Sequence, residues 1–353
     1  MSNVVALRRQ GFGVGDRAVP ALIDLLATRR RHRHDPFWLK ENAELAQILA
    51  ATGVCDADLG PLQPFLATLM PELRFFPQYY RLYLSLAVDL AAMGMPDVPL
   101  QQMSDFILAE RLTEVELSDT HRGEARLLLE RAGAVPGGDA ALDARLARFA
   151  ANARGFCLPN RRAAYDLTHI VFHATDYGRR SVAPDADRRA SLINAGMIAW
   201  LEDNLDLLSE VVIALVLSGE TPPEAWRRAV TKGAGEVEFA QGHEGAKFDD
   251  DYHQYLVSNW AVSLMGGRAF AAAVPAQARL VHQPRPASAA LRDLSMILLD
   301  MGAERSGDWP KMRWRIWGRL SEASRARVAA LEILPEFEVF FEGFARAGAG
   351  GGQ

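Results

Sequence analysis

Cysteine is scarce in this sequence. Only Cys55 and Cys157 occur among 353 residues, and they lie far apart. Two isolated thiols give neither a disulfide framework nor a CxxC metal-binding pair. This usage is typical of reduced thiols in a cytosolic protein, so we expect the protein to be cytoplasmic.

Long apolar runs are also missing. The run that comes nearest, Val211–Leu217, has seven residues, whereas a membrane-spanning helix needs roughly 18 to 20. The first nine residues contain no apolar core of signal-peptide length. We therefore expect no membrane span and no export signal, and we assign Val211–Leu217 to a buried helix.

An excess of positive charge is absent as well. The chain has 39 Lys and Arg against 44 Asp and Glu, a net charge of -5, which argues against nucleic-acid binding. The one basic run, residues 29–34, is either a solvated helix end or a contact patch for an anionic ligand or partner. The chain also lacks a GxxxxGK[ST] phosphate loop and a GxSxG elbow.

Helical periodicity fills most of the remaining sequence. Apolar residues recur at i, i+3 and i+4 over residues 18–28. Asp35-Pro36 predicts a helix start and Gly53 its end. Strand-like alternation is nearly absent. About fourteen predicted helices joined by short Pro- and Gly-containing loops indicate an all-α fold, either an α/α-barrel-like toroid or stacked helical hairpins.

Two less helical zones suggest how the chain is divided. Residues 232–249 are rich in Gly, Glu and Asp, and residues 273–286 contain three prolines. A long polar loop in a helical protein is often functional. We predict a helical α/α domain over residues 1–272, a C-terminal helical extension packed on it over residues 273–347, and a disordered tail over residues 348–353.

The strongest chemical signal lies on a predicted helix over residues 160–177 that ends at Gly178. His169, His173 and Asp176 recur at helical spacing, so their side chains should share one face. Two imidazoles one turn apart can bind one metal, and the aspartate could be a third ligand. Tyr165 lies one turn earlier on the same stripe. The alternative is a buried polar network that fixes helix packing.

A second polar cluster opens the predicted helix that starts near Asp250. His253, with Asp250 or Asp251, could add a fourth group to the site, although acidic residues at a helix N-terminus need no function. The candidate catalytic residues are therefore His169, His173, Asp176, His253 and Tyr165. The candidate metal ligands are His169, His173, Asp176 and His253. His243-Glu244, in the preceding loop, could act as a mobile acid or base.

Two further groups of charges are open to structural interpretations. Arg81 could form a buried ion pair with Glu41 or Glu44. Glu202, Asp206 and Glu210 share a face at i, i+4 spacing, where like charges repel. This acidic stripe is either exposed to solvent or placed near a cation or a metal.

The run Thr168–Gly178, of the form THxxFxxTDxG, resembles an uncharacterised bacterial all-helical family known as a domain of unknown function. Residues 40–44, KENAE, and 75–80, FFPQYY, look like parts of the same pattern. The resemblance covers about residues 35–270 and implies no known activity.

A more distant similarity concerns Asp251-Tyr252-His253. It resembles the zinc-histidine segment in the β subunit of protein prenyltransferases, which are closed α/α toroids. The resemblance implies a zinc ligand at His253 alone, because the family's Asp-x-Cys pair has no clear counterpart here.

Together these patterns favour a metal-dependent or acid/base enzyme that acts on a small molecule or peptide in a central helical cavity. A divalent ion, zinc or iron, would polarise the substrate or activate water. The first alternative is a non-catalytic helical-repeat scaffold for protein interactions. The second is an isoprenoid-binding or prenyltransferase-like protein. The oligomeric state is left open.

Overall fold

A computed structural model describes residues 18–54, 57–134, 137–241, 250–283 and 289–347. Cys55, His243-Glu244 and the predicted tail 348–353 lie outside the described residues. The described residues contain sixteen α-helices and one two-stranded sheet. The all-α fold class is therefore confirmed, while the toroid or hairpin arrangement stays a prediction.

The α-helices are α1 (Ala18–Asp24), α2 (Pro36–Thr52), α3 (Gln63–Phe75), α4 (Tyr80–Ala92), α5 (Leu100–Ala109), α6 (Asp119–Arg131), α7 (Ala140–Ala150), α8 (Arg161–Ala174), α9 (Ala186–Glu202), α10 (Leu205–Leu217), α11 (Glu224–Gly235), α12 (Tyr252–Leu264), α13 (Ala290–Asp300), α14 (Trp309–Trp317), α15 (Glu322–Glu332) and α16 (Phe337–Ala345). A π-helical turn, Leu25–Arg29, continues α1. Short 3₁₀ turns cover Gly60–Leu62, Pro77–Tyr79, Leu112–Val115, Ala153–Cys157 and Gly302–Glu304.

Two strands that are far apart in the chain form a small antiparallel sheet within the described residues. β1 (Glu238–Ala240) pairs with β2 (Leu280–His282) so that Phe239 lies opposite Val281. β1 lies in the zone that the sequence predicts to be a polar loop. Three-residue strands are too short to give a clear alternation in sequence, which explains why the sequence did not indicate them.

The ends of α2 follow the local chemistry of the sequence. The Asp35 side chain accepts a hydrogen bond from the Phe37 backbone N–H, and Pro36 occupies the first turn, where its missing N–H costs nothing. Gly53 ends the helix at φ 78°, in the left-handed region that glycine tolerates. Both predicted ends of this helix are confirmed.

The end of α3 differs from the sequence prediction. The sequence predicts that this helix stops near Met70-Pro71, yet α3 continues to Phe75 with Pro71 inside it. Leu69 and Leu73 are fully buried on either side of the proline. Their burial offsets the lost backbone hydrogen bond and the steric cost of an internal proline.

The chain folds into two compact units, each made of separate segments. Unit 1 contains residues 1–117, 124–136 and 234–283, and unit 2 contains residues 118–123, 137–233 and 284–353. These segments cut across the boundary at residue 272, which stays a prediction.

Unit 1 is centred on α2, which packs against α4 and α12. In the core, the Trp38 and Phe65 rings lie 5.9 Å apart. Unit 2 is centred on α9 and α10, and the Val211–Leu217 run in α10 supplies part of its core. In α9, Gly196 leaves room for the fully buried Trp226 ring, which a β-carbon at that position would meet at 2.4 Å.

The sequence prediction omits two helices of unit 2. α14 begins at Trp309 and is capped by Asp308, whose carboxylate accepts a hydrogen bond from the Lys311 N–H. α16 carries four buried phenylalanines at positions 337, 340, 341 and 344. Their i, i+3, i+4, i+7 spacing is a helical signal that could have been found. Among the described residues, no helix is both long and apolar enough to span a membrane.

Candidate functional site

The motif helix is α8, and its N-terminus is fixed by Asn160. The Asn160 side chain accepts a hydrogen bond from the Ala163 N–H at 3.1 Å. One face of α8 is apolar and buries Leu167 and Val171. The edge of that face carries Tyr165, Thr168 and His169, and this edge lies along α10.

Three acidic residues meet α8 at successive turns. Arg161 Nη2 lies 2.7 Å from Glu202 Oε1. One turn further on, the Tyr165 hydroxyl donates to Asp206 Oδ1 over 2.6 Å. These two contacts and a third one, described next, form a row that we call the α8–α10 seam. Its residues are Arg161, Tyr165, Thr168, His169, Glu202, Asp206 and Glu210.

The last step of the seam is the most deeply buried. Thr168 Oγ1 lies 2.5 Å from Glu210 Oε2, and the Glu210 side chain is 1% exposed. His169 Nε2 lies 3.8 Å from the same carboxylate oxygen, and the His169 side chain is 47% exposed. The buried Glu210 carboxylate thus lies close to the imidazole of His169, whose side chain is partly exposed to solvent.

The seam explains how the acidic stripe is accommodated. Partners on α8 and acids on α9 and α10 are separated by 41, 41 and 42 residues. Because the separation is nearly the same at each contact, α8 and α10 run in the same direction. The interpretation of the whole stripe as solvent-exposed is therefore wrong, because Glu210 is buried and Glu202 and Asp206 are only partly exposed.

Two carboxylates of the seam lie close to each other. An oxygen of Asp206 and an oxygen of Glu210 are within 4.8 Å. Two negative charges this close repel, and the repulsion grows as water is excluded. Hydrogen bonds from Tyr165 and Thr168 offset part of it, and a proton or a divalent cation would offset more.

Burial raises the pKa of Tyr165 well above its ordinary value, and the neighbouring Asp206 carboxylate raises it further. The phenol therefore remains protonated across the physiological range. In this state Tyr165 acts as a hydrogen-bond donor that orients Asp206, and not as a phenolate base.

The other motif residues lie near the end of α8. The rings of His169 and His173 are 5.9 Å apart, as expected for one helical turn. The predicted helix continues to Tyr177, but α8 ends at Ala174, and Asp176 follows in a turn with φ 45°. The Asp176 carboxylate lies 3.5 Å from Arg179. Helical periodicity therefore does not place Asp176 on the histidine face.

His253 lies in unit 1, on the first turn of α12, and is half-buried. Its neighbours in sequence are held by unit 1. The Tyr252 hydroxyl donates to Glu44 over 2.8 Å, and the Asp251 carboxylate accepts from the Gln283 N–H at 3.1 Å. Convergence of His253 with the histidines of α8 would join residues of two units and stays a prediction.

Buried charges in unit 1 also differ from the predicted pairing. Arg81 does not pair with Glu41 or Glu44; it pairs with Glu116 at 2.8 Å and with Glu124. Glu41 instead binds Arg30, which also binds Asp250 at 2.5 Å. Sequence patterning marks such residues as polar and helical but does not choose their partners.

The sequence interpretation also missed the role of Thr168 and the pairing of the acidic stripe with α8. The signal that could have found them is the matching i, i+4 spacing on two helices. The observations define a class: an all-α protein with a polar seam between two parallel helices of one unit.

A family model described as a domain of unknown function, DUF6902, matches residues 1–347. The chain therefore belongs to this uncharacterised family, as the resemblance in part predicted. The similarity to prenyltransferases stays a prediction. Neither the curated proteins nor the solved structures contain a match.

Proposed function

We propose that this protein is an enzyme that acts on a small molecule or peptide at the α8–α10 seam, with His169 as its reacting imidazole. One observation carries the proposal: the His169 side chain is 47% exposed, and its Nε2 lies 3.8 Å from the Glu210 carboxylate, whose side chain is 1% exposed. A buried carboxylate behind an accessible imidazole is the arrangement that orients a general acid or base. Such contacts are often long before substrate binds.

The same groups suit a divalent metal. His169 offers an imidazole nitrogen 3.8 Å from the Glu210 carboxylate, and Asp206 and Glu210 offer carboxylate oxygens within 4.8 Å of each other. Imidazole with carboxylate is a ligand set that zinc and non-haem iron accept. In this form of the proposal His173 is a further ligand one helical turn away, and the metal polarises the substrate or activates water.

Elemental analysis combined with an activity screen tests the proposal. The full chain is assayed for bound zinc and iron after dialysis, and for hydrolysis of a panel of small esters, amides, phosphates and short peptides. Wild type is compared with His169→Ala and Glu210→Gln. The matched control is His34→Ala, because His34 is an exposed histidine of unit 1.

We expect bound metal or turnover in wild type and in His34→Ala, and loss of either in His169→Ala and Glu210→Gln. Wild type that retains no metal and turns over no member of the panel contradicts the proposal. Equal metal content or equal turnover in wild type and His169→Ala also contradicts it.

A non-catalytic helical scaffold is the second candidate. The observation that favours it is that each acid of the seam contacts a side chain of α8, as in a network that fixes helix packing. In that case Glu210→Gln lowers the unfolding temperature, while His169→Ala, at an exposed position, changes neither stability nor any activity.

A further inference from the structure

The turn that follows α8 has an unusual backbone. Asp176, Tyr177 and Gly178 have φ angles of 45°, 51° and 89°, so three consecutive residues lie in the left-handed region. Glycine adopts this region freely and aspartate tolerates it, whereas a bulky residue such as tyrosine is rarely found there. Tyr177 therefore holds a conformation that its own side chain disfavours. Residues of this kind cluster at functional sites.

Backbone hydrogen bonds close the turn. The Tyr177 N–H donates to the Phe172 carbonyl oxygen at 2.8 Å, and the Asp176 N–H donates to the His173 carbonyl oxygen at 3.1 Å. This is the Schellman pattern that ends many helices, and it needs a left-handed residue only at the position that Asp176 occupies. The left-handed conformation of Tyr177 is therefore not required to end the helix and needs another explanation.

The Tyr177 side chain packs back onto α8. It is 5% exposed, and its ring lies 6.0 Å from the His173 ring and 6.2 Å from the Phe172 ring. The His169 ring lies 5.9 Å from the His173 ring and 5.7 Å from the Phe172 ring. The four rings therefore form a closed cycle in which each ring contacts two others.

This cycle restricts the imidazole of His173. A histidine side chain can occupy several rotamers, and His173 is only half-buried, so burial alone does not select one of them. The Tyr177 and His173 rings meet edge to face, with 65° between their planes, and aromatic contacts of this kind are directional. The contact with Tyr177 therefore favours one orientation of the imidazole.

The separation of the two imidazoles suits a shared metal ion. Since zinc lies about 2.0–2.1 Å from each imidazole nitrogen that binds it, two imidazoles on one ion have ring centres about 5–6 Å apart. The rings of His169 and His173 are 5.9 Å apart. Keeping His173 in its present orientation therefore keeps the pair at a distance that one ion can bridge.

We propose that Tyr177 is a positioning residue for the two histidines of α8. The left-handed turn places its ring against His173, and the ring holds that imidazole beside His169 so that both can act on one ligand. This inference rests on the proposed function, because the position of His173 has a purpose only if the histidines bind a ligand or react.

NMR relaxation of the full chain tests the positioning directly. With ¹³C-labelled histidine, the ring signals of His173 are assigned by comparison with His173→Gln. We expect a rigid His173 ring in wild type, with an order parameter of about 0.85, and a value of about 0.6 or less in Tyr177→Leu. Tyr177→Leu keeps an apolar side chain but removes the ring. Tyr177→Phe retains the ring and should retain the wild-type value.

Titration of the full chain with zinc chloride tests the consequence for binding. Tyr177→Leu should bind zinc about tenfold more weakly than wild type, as is typical when a group that orients a metal ligand is lost. Tyr177→Phe should bind zinc as wild type does. If Tyr177 only fills the core, Tyr177→Leu lowers the unfolding temperature and changes neither the zinc affinity nor the order of His173.

Tyr83→Leu is the matched control, because Tyr83 is a tyrosine of unit 1 that is also 5% exposed. This change should lower the unfolding temperature and leave the order of His173 and the zinc affinity unchanged. Thermal unfolding of each variant verifies that it is folded. The order of His173 in wild type is compared with that of the exposed His34, which needs no variant.

The proposal is overturned if the His173 ring in wild type is as mobile as that of His34. It is also overturned if a folded Tyr177→Leu variant keeps the order of His173, if it keeps the zinc affinity of wild type, or if Tyr83→Leu has the same effects. A wild type that binds no zinc contradicts the metal form of the proposed function alone. In that case the order of His173 decides the role of Tyr177.

Discussion

The Tyr165 hydroxyl donates a hydrogen bond to Asp206 Oδ1 over 2.6 Å, although the two residues are 41 positions apart. The contact joins the motif helix α8 to the acidic stripe on α10. The first prediction concerns its contribution to stability. Tyr165→Phe removes the donor and leaves a partly buried carboxylate without it, which should cost about 1.5–3 kcal/mol.

Urea denaturation of both proteins measures this difference as a shift in midpoint at constant m-value. Tyr79→Phe is the control, because the described residues show no hydrogen bond to the Tyr79 hydroxyl. A loss in Tyr165→Phe no larger than in Tyr79→Phe would show that the seam contact contributes nothing.

Alkaline pH should destabilise the protein. Burial raises the pKa of Tyr83 to about 12, and burial also raises the pKa of Tyr165. The unfolded chain releases these protons near pH 10, while the folded chain keeps them, so stability is complete below pH 10 and falls above it. Each such tyrosine should contribute a slope of about 1.4 kcal/mol per pH unit.

Urea midpoints measured at several pH values between 8 and 11.5, with the range chosen to bracket the unfolded-state value, give this slope. Tyr165→Phe should make the decline above pH 10 shallower by the contribution of one tyrosine. A profile that is flat to the alkaline end in wild type would contradict the burial of these phenols.

Cys157 should react slowly with thiol reagents. Burial raises the pKa of its thiol to about 11, so the nucleophilic thiolate is rare near neutrality. Its sulfur also lies 2.7 Å from the position that a β-carbon on Gly343 would occupy, which shows how closely α16 covers it. Labelling with a disulfide reagent in a Cys55→Ser background should be slow in buffer and fast in urea. Rapid labelling without denaturant would show that α16 opens readily.

The approach of Gly196 to Trp226 should make position 196 intolerant of any side chain. A β-carbon there would come within 2.4 Å of the buried indole, and overpacking of this kind typically costs about 1–3 kcal/mol. Gly196→Ala should therefore lower the unfolding temperature. Gly235→Ala is the control and should not lower the unfolding temperature, because a β-carbon there meets nothing within 4 Å. Equal unfolding temperatures for the two variants would mean that α9 and α11 repack at no cost.

Arg30 should be among the most sensitive charged residues of unit 1. It is fully buried between Glu41 and Asp250, so Arg30→Met leaves two buried carboxylates without their partner. The expected loss is about 3–5 kcal/mol, as for other broken buried ion pairs. Arg111→Met breaks an exposed pair with Glu114 and should change the urea midpoint very little. Similar midpoints for the two variants would contradict the structural role of Arg30.

Local signals in the sequence were sufficient for most of the helices. Asp35, Asn160 and Asp139 each cap the helix they precede, because an N-cap depends only on residues within one turn. Pro71 was misleading, since the burial of Leu69 and Leu73 is a tertiary effect that outweighs the local penalty.

Partner choice was the part that the sequence did not supply. The spacing of His169 and His173 predicted that they share a face, and their ring separation of 5.9 Å agrees with it. No local pattern in the sequence indicated that Glu210 would lie close to His169. Nor did any indicate that Arg81 would pair with Glu116 and Glu124. Such pairs form between residues far apart in the chain.

The sequence by itself determined the helical class, many helix ends and the presence of histidines and acids at matched spacing, because helix formation and capping act over three to four residues. Only the tertiary structure decided that α8 and α10 run side by side in the same direction. That packing depends on the apolar faces of α8, α9 and α10 together, and it alone converts a repelling acidic stripe into a partly buried, hydrogen-bonded seam.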